Sequence, residues 1–468
     1  MKGVMNLPKL TSRNLLMTCT LFGGLLFGTS CKKTEFAPVS TASDAGEINI
    51  AGTKIPAGTN VVVILGDDWG YELITANGGQ SYSTPNIDKL AQDGMRFTQC
   101  HGSPLCSPAR FTLLTGKYNF RNYTNWGVMD PTEKTLGTLF KSAGYKTCAT
   151  GKWQLDGGDA SIKSLGFDKY CLWNAYEIYT SGSQGSSYKN PTIYQDGGYL
   201  PSSETNGKYG EDFYSKYVTD FIDSNKNNNF FVYYAPPSVH TPFGPTPDDP
   251  EFATWDPKAR ISDPKFFPSM VSYVDKKVGE IVAKVKSLGL SDKTMIIFTG
   301  DNGTPTEIYS MFNGQLVQGG KSSTTTWGTH VPLMIAGAGI PKGTVNNNLI
   351  SFTDFMTTFQ EMTGADVSTY DTLDGVSFYK QLYQQPYTPR PWIYDYYHPL
   401  TNSGNTSLRM WVQDSTYKLY GLTDKFYNIA ADPYEQSKIK KGAMTPEEKQ
   451  IYKNFQKVLA QYPEYPAP

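Results

Sequence analysis

The chain has 468 residues, 39% hydrophobic and 14% aromatic, enough to bury one large domain with an appended module. Lys and Arg total 42 against 43 Asp and Glu, and a net charge of -1 argues against a nucleic-acid partner, which a basic excess would announce. The 32 Tyr and 24 Phe exclude wholesale disorder, six Cys are too sparse for a disulfide scaffold, and four His leave any hydrolase few imidazoles.

The N-terminus has the layout of a secretory signal. Lys2, Lys9 and Arg13 precede an apolar run from Leu15 to Phe27 that ends at Thr29-Ser30-Cys31. Residues 1–30 are expected to be a signal peptide. Cys31 is a lipidation candidate, because a Cys directly after small residues resembles a bacterial lipobox; Gly28 departs from the usual larger aliphatic residue, so ordinary cleavage stays open. Residues 31–55, rich in Thr, Ser, Ala and Gly, read as a tether. No other stretch is long and apolar enough to span a bilayer. An extracytoplasmic protein at the periplasm or cell surface, held to the membrane only through a lipid anchor, is the expected outcome.

Residues 56–389 alternate strand and helix signals. Asn60 to Leu65 is a continuous apolar run suited to a strand covered on both faces. Glu133 to Ala143 places Leu136, Leu139, Phe140 and Ala143 on one helical face, with Gly144 as its end. Tyr145 to Thr150 and Phe230 to Ala235 read as strands, and the stretch from Ser181 to Gly207 between them as a long loop. Val271, Val274, Val278, Ile281, Val282, Val285 and Leu288 keep helical spacing, followed by strands at Met295–Phe298 and Val331–Ala336. Such alternation predicts an α/β fold with a large, mostly parallel or mixed central sheet flanked by helices. Residues 390–468 change texture to short aromatic runs such as Trp392-Ile393-Tyr394, predicting a small antiparallel sheet closed by a helix near Pro446–Leu459.

In such sheets chemistry gathers beyond the strand C-termini. Asp67-Asp68 follows the first strand and Asp301-Asn302 follows the strand at Met295–Phe298. Each alone is equally a plain Asp-containing turn; together they offer carboxylate and amide oxygens, a hard set for Ca²⁺ or Mg²⁺. Between them lies Cys106-Ser107-Pro108-Ala109-Arg110, followed by Leu114-Thr115-Gly116.

That segment resembles the C-x-P-x-R and L-T-G signature of the arylsulfatase family, within the alkaline phosphatase superfamily, and matches it at every fixed position. The resemblance implies an alkaline-phosphatase-like fold and a sulfuric ester hydrolase whose Cys106 is converted by a maturase to formylglycine. A thiol attacking sulfur would leave a stable adduct, whereas an aldehyde hydrate attacks through one hydroxyl and expels sulfate through the other. Carried over residue by residue, the likeness assigns Asp67, Asp68, Cys106, Asp301 and Asn302 to one metal, Ca²⁺ rather than Mg²⁺, and Arg110 to orienting the nucleophile. Lys152, in Thr150-Gly151-Lys152-Trp153-Gln154-Leu155, matches a lysine that contacts nucleophile and sulfate. Lys321, in Gly319-Gly320-Lys321, matches a second sulfate-binding lysine, and His240 matches the acid that protonates the leaving oxygen.

Gln154 stands where the family usually has His, and an amide hydrogen-bonds but cannot serve as a base near neutral pH. His330 occupies a place where relatives often carry Arg and is expected to be structural, while His101 and His398 match nothing and either is free to face substrate. The likeness extends to Asp432-Pro433-Tyr434-Glu435. A sulfated saccharide is the expected substrate, with Trp126, Trp173, Trp327 and Tyr397 as candidates for a sugar-stacking rim. Two alternatives stand beside it: a phosphonate or phosphate ester hydrolase of the same superfamily, and a lipoprotein that binds sulfated glycans without turnover because of Gln154. Cys100, Cys148 and Cys171 permit at most one disulfide.

Overall fold

In a computed structural model, the described residues are 58–176, 185–259, 261–370, 372–400 and 407–462. The expected signal peptide, Cys31 and the tether lie outside them. Four strands in the middle of the main sheet carry most of the site: β1 (Asn60–Gly66), β3 (Lys146–Lys152), β7 (Phe230–Ala235) and β8 (Thr294–Gly300). Around them run β2 (Gly94–His101), β4 (Lys169–Trp173), the short β5 (Tyr194–Gln195) and β6 (Gly198–Tyr199), then β11 (His330–Gly337) and β12 (Thr344–Ser351). The order across the sheet is β12-β2-β11-β8-β1-β7-β3-β4-β5-β6. A separate hairpin pairs β9 (Tyr309–Phe312) with β10 (Gln315–Gln318).

The sequence Asn-Val-Val-Val-Ile-Leu-Gly makes β1 a central strand because it can be buried on both faces, and all seven residues are. Alternate side chains point to opposite faces. Val61, Val63 and Leu65 join a core with the helices Cys106–Thr115 and Leu136–Ser142, while Val62 and Ile64 join a second with Gly210–Ser224 and Phe267–Ser287. Burying each such side chain contributes about 1.5–3 kcal/mol, so a charge at Val62 would open the layer formed with Gly210–Ser224 and Phe267–Ser287.

The Val331–Ala336 strand is β11, and it runs antiparallel to β2 and β8, so of the two forms expected the sheet is the mixed one. One expectation is corrected. The described part of the expected loop at 181–207 carries β5, β6 and a helix at Ser202–Thr205. The C-terminal region forms a four-stranded antiparallel sheet of β13 (Ile393–Tyr397), β14 (Arg409–Gln413), β15 (Tyr417–Tyr420) and β16 (Phe426–Asn428), with the helix Pro446–Leu459 packed on it. That helix starts at a capping box in which Thr445 and Glu448 satisfy each other's backbone N–H groups. Cys100, Cys106, Cys148 and Cys171 are all buried free thiols.

Candidate active site

β1 runs parallel to β8 on one side and β7 on the other, and β7 runs parallel to β3. Their C-termini therefore share one edge. The register pairs Gly66 with Gly300, so Asp67 and Asp301 leave the sheet side by side. A Cβ on Gly300 would lie 2.0 Å from the Trp69 carbonyl oxygen, so only glycine permits this crossing. Gly151 does the same before Lys152: its φ is +86°, and a Cβ would meet the Ala235 carbonyl at 2.1 Å.

Cys106 opens the wholly buried helix Cys106–Thr115, and Pro108 is tolerated because it sits in the first turn. The helix ends at Gly116, left-handed at φ 68°. The four-residue spacing puts Cys106 and Arg110 on one face. Arg110 donates to Asp301 Oδ2 at 2.9 Å, to the Tyr233 hydroxyl at 3.2 Å and to the Lys152 carbonyl at 3.3 Å. Lys152 Nζ donates to Asp67 Oδ2 at 2.7 Å, and Lys321 Nζ to Asp68 Oδ2 at 2.6 Å. Asn302 Nδ2 donates to Asp68 Oδ1 at 2.7 Å, and the Asp68 N–H to Asp301 Oδ1 at 2.9 Å.

These bonds, with the proximity of the candidate ligand atoms, bring nine of the ten predicted site residues into one network, buried except at His240 and Lys321, which are half-buried. Donor atoms of Asp67, Cys106 and Asp301 lie within 4.8 Å of one another, as do those of Asp68, Cys106 and His240. Two buried oxygens inside this cluster, Asp67 Oδ1 and Asn302 Oδ1, accept no hydrogen bond. Buried polar atoms are normally satisfied. Oxygens that face other carboxylate oxygens without a donor are what a divalent cation requires, so the residues present fit a metal.

Electrostatics reflect the crowding. Burial alone would raise the Asp67 carboxyl, but Lys152, His240, Arg110 and Lys321 outweigh it and hold it well below the usual carboxylate range. Asp301 is pushed up to about 7 by burial and then by the Asp67 charge. Burial drives the Cys106 thiol up to about 12, with Lys152 and Lys321 opposing and Asp67 and Asp301 adding to the rise. Burial, then Lys321 and Lys152, depress His240 to about 4. The His240 ring points Nδ1 at the Thr241 carbonyl, 2.6 Å away. A carbonyl only accepts, so Nδ1 carries a proton and Nε2 is the atom free for other work.

Gln154, the tenth predicted residue, stands beside the network at φ 53°. Its N–H donates to the Asn174 carbonyl at 3.2 Å, and its Oε1 is buried without a partner. Three residues of this environment escaped the sequence reading. Tyr233 braces Arg110; Glu211, pushed up to about 7 by burial, accepts from the Ser238 N–H and the Tyr234 hydroxyl at 3.0 Å each and so braces the turn before His240; Asn174 has both amide atoms buried and unpartnered. Of the three only Tyr233 left a trace, as a member of the apolar run Phe230–Ala235.

Other expectations fare differently. His101 is buried, stacks on His330 at 5.2 Å and faces the C-terminal sheet through Gln413; His330 stacks in turn on Tyr71 at 3.9 Å, a structural role. His398 is buried as well. Trp327 and Tyr397 are buried at 8% and 3% exposure and cannot form a rim, while Trp126 and Trp173 are half-buried against the cores.

The Sulfatase family model matches residues 59–365, and the chain belongs to that family, the formylglycine-type sulfuric ester hydrolases of the alkaline phosphatase superfamily. The N-acetylgalactosamine-6-sulfatase of Rattus norvegicus is 30% identical over 382 residues, covering 74% of this chain and 70% of the relative. Arylsulfatase G of Rattus norvegicus is 26% identical over 512 residues, covering 95% and 91%. Among solved structures, a protein in complex with its substrate D-glucosamine-2-N,6-O-disulfate superposes with a TM-score of 0.67 at 20% identity, over 86% of this chain and 98% of that one. The phosphonate monoester hydrolase of Agrobacterium radiobacter shares the fold with a TM-score of 0.62 at 19% identity, over 86% and 95%.

Proposed function

We propose that this sulfatase cleaves sulfate esters of carbohydrates, with Cys106 matured to formylglycine and Ca²⁺ held by Asp67, Asp68, Asp301, Asn302 and the modified Cys106. One observation carries the reading: around Cys106, Arg110, Lys152 and Lys321 stand against carboxylates while Asp67 Oδ1, with Arg110 3.6 Å away, and Asn302 Oδ1 are buried and accept no hydrogen bond. The donor set is all oxygen apart from Cys106, which suits Ca²⁺ over softer metals, and its irregular mix of carboxylates and amide suits Ca²⁺ over the stricter octahedron of Mg²⁺. An unmodified thiol raised to about 12 is neutral at pH 7 and a poor nucleophile, which favours maturation of Cys106. Once bound, the modified residue and the metal supply a nucleophilic hydroxyl made acidic enough to work near neutral pH.

The remaining roles belong to the chain's own side chains. Lys152 and Lys321 bind the sulfate oxygens, and Arg110 holds Asp301 and the Lys152 strand end in place. His240 Nε2 faces the ester oxygen and delivers the proton to the leaving alcohol. Its low resting affinity for protons follows from burial beside Lys321 and Lys152, and an arriving sulfate anion offsets that charge. Gln154 hydrogen-bonds the substrate or the nucleophile. The relatives' names and the sugar disulfate complex support a saccharide substrate.

Sulfate release from a panel of sulfated monosaccharides and oligosaccharides, with methyl phosphonate esters as comparison, tests this. Faster turnover of the phosphonate than of every sulfate would sink it. His240→Ala should lower kcat/KM on an unactivated sugar sulfate by about 10²–10⁴-fold but on 4-nitrophenyl sulfate, whose leaving group needs no acid, by under about 10-fold. We also propose an extracytoplasmic enzyme, anchored through Cys31 and ordered as residues 1–30 signal, 31–55 tether, 56–389 catalytic domain and 390–468 C-terminal subdomain. Loss of membrane association in Cys31→Ala would support the anchor.

A further inference from the structure

The loop that delivers Lys321 has little intrinsic order. Gly319-Gly320-Lys321-Ser322-Ser323-Thr324-Thr325 joins β10 to the short helix Thr326–Thr329, and Ser322 sits at φ 71°. Small polar residues and paired glycines have much conformational freedom to lose, so something must fix the ammonium. Two anchors come from the catalytic side: the Lys321 N–H donates to Thr304 at 2.9 Å and the Ser322 N–H to Pro104 at 2.8 Å.

The others come from the C-terminal sheet and the turn after it. Lys418 on β15, 1% exposed, donates to the Thr324 carbonyl and to Glu435 Oε1 at 3.0 Å, with its ammonium 4.5 Å above the Trp411 ring. The Tyr420 hydroxyl lies 2.7 Å from Thr324 Oγ1 and donates to Glu435 Oε2 at 2.6 Å. The Thr326 N–H donates to the Pro433 carbonyl at 3.3 Å, the Gln318 N–H to the Tyr434 hydroxyl at 3.0 Å, and the Tyr434 ring rests on Trp327. These contacts grip the loop at 318, 324 and 326, on both sides of Lys321.

We infer that the buried Lys418–Glu435 pair, with Tyr420 and the Asp432–Glu435 turn, is a positioning clamp through which the C-terminal sheet sets the enzyme's affinity for the sulfate anion. This rests on Lys321 being a sulfate ligand, as proposed above. None of the clamp residues touches the anion; they act through the loop. A charged group displaced by an ångström loses a large part of its effect.

The test uses the full chain, matured and loaded with Ca²⁺. The double variant Lys418→Met/Glu435→Gln removes the clamp without leaving either partner of the pair as a lone buried charge, while the buried Asp395 also loses Lys418 as its neighbouring cation, which the melting curve registers. Kinetics with 4-methylumbelliferyl sulfate, competitive inhibition by inorganic sulfate and thermal melting are measured, with Lys321→Ala as reference. The clamp raises KM and the sulfate inhibition constant together by about 10-fold when removed, with kcat within about 3-fold of the parent. Tyr420→Phe moves both constants the same way by about 2- to 3-fold. A purely structural role would lower the melting temperature and leave both constants unchanged per folded molecule. That result, alongside a Lys321→Ala inhibition constant raised more than about 10-fold, overturns the clamp alone. An unchanged constant in Lys321→Ala overturns the reading of Lys321 and the clamp with it. Should the double variant fail to fold, an unchanged sulfate constant in Tyr420→Phe overturns the clamp.

Discussion

Two regions of this molecule bury ions in opposite ways. At the C-terminal end of the main sheet, Asp67, Asp68 and Asp301 crowd together, and Asp67 Oδ1 and Asn302 Oδ1 are left without donors. Near the C-terminal sheet, Asp354 accepts from Arg390 at 2.7 Å and also from the Ser351 and Val376 N–H groups. There the carboxylate is closed by its own chain. The same building blocks thus make a scaffold when every oxygen is paired and a reactive site when some are held open. The pairing of the buried oxygens, rather than buried charge, separates the two, although Arg390 Nε is itself buried without a partner.

Removing the proposed nucleophile, Cys106, is expected to break the open region most severely. Cys106→Ala should lower kcat by about 10⁵-fold or more with no comparable loss of stability, since the thiol carries no structural bond. Sulfate release and a melting curve on the same preparation check it; retained activity would place the nucleophile elsewhere. In the closed region the balance inverts. Arg390→Met leaves Asp354 buried and unpaired, which should cost about 3–5 kcal/mol in denaturant unfolding while KM of the folded fraction stays within about 2-fold. A shifted KM with unchanged stability would erase the distinction. Asp301→Asn comes third. It keeps an oxygen toward Arg110 or the Asp68 N–H but removes a charge from the proposed metal set, so Ca²⁺ affinity by calorimetry should fall about 10²-fold. Chelation should abolish wild-type activity, with Ca²⁺ restoring more of it than Mg²⁺.

How far the sequence announces each region follows from the same physics. β1, β7 and β8 are legible because strands buried on both faces must be continuously apolar. β2 and β12 are not: Gly-Met-Arg-Phe-Thr-Gln-Cys-His and Thr-Val-Asn-Asn-Asn-Leu-Ile-Ser carry polar residues, and their place follows from pairing, β2 on β11 and β12 on β2 at the sheet's edge. The antiparallel direction of β11 is invisible, since an apolar run has no sense of direction. The fixed spacing of Cys106 and Arg110 is legible because one helical turn must place both. Glu211, which braces the turn before His240, and Asn174, whose carbonyl accepts from the Gln154 N–H, lie on other elements and have no local pattern to betray them. Nor does a sequence show the left-handed backbone at Gln154.

Gln154 is where the smallest effect sharpens the comparison. Its Oε1 is unpartnered like the oxygens of the metal cluster, yet an amide neither titrates nor holds a charge near neutral pH. If the family's His assists sulfate expulsion as a base, Gln154→His should raise kcat by about 3- to 10-fold where expulsion limits turnover. The gain must depend on pH, because a base works only when neutral: kcat of the variant should climb as pH rises through the new imidazole's value and then level off. The parent shows no limb from this position, because an amide does not titrate. Parallel kcat–pH profiles decide it. A lower kcat with no new limb would mean that the amide is the working group and that this chain expels sulfate through other contacts, with Asn174, unpartnered beside it, as the next residue to substitute.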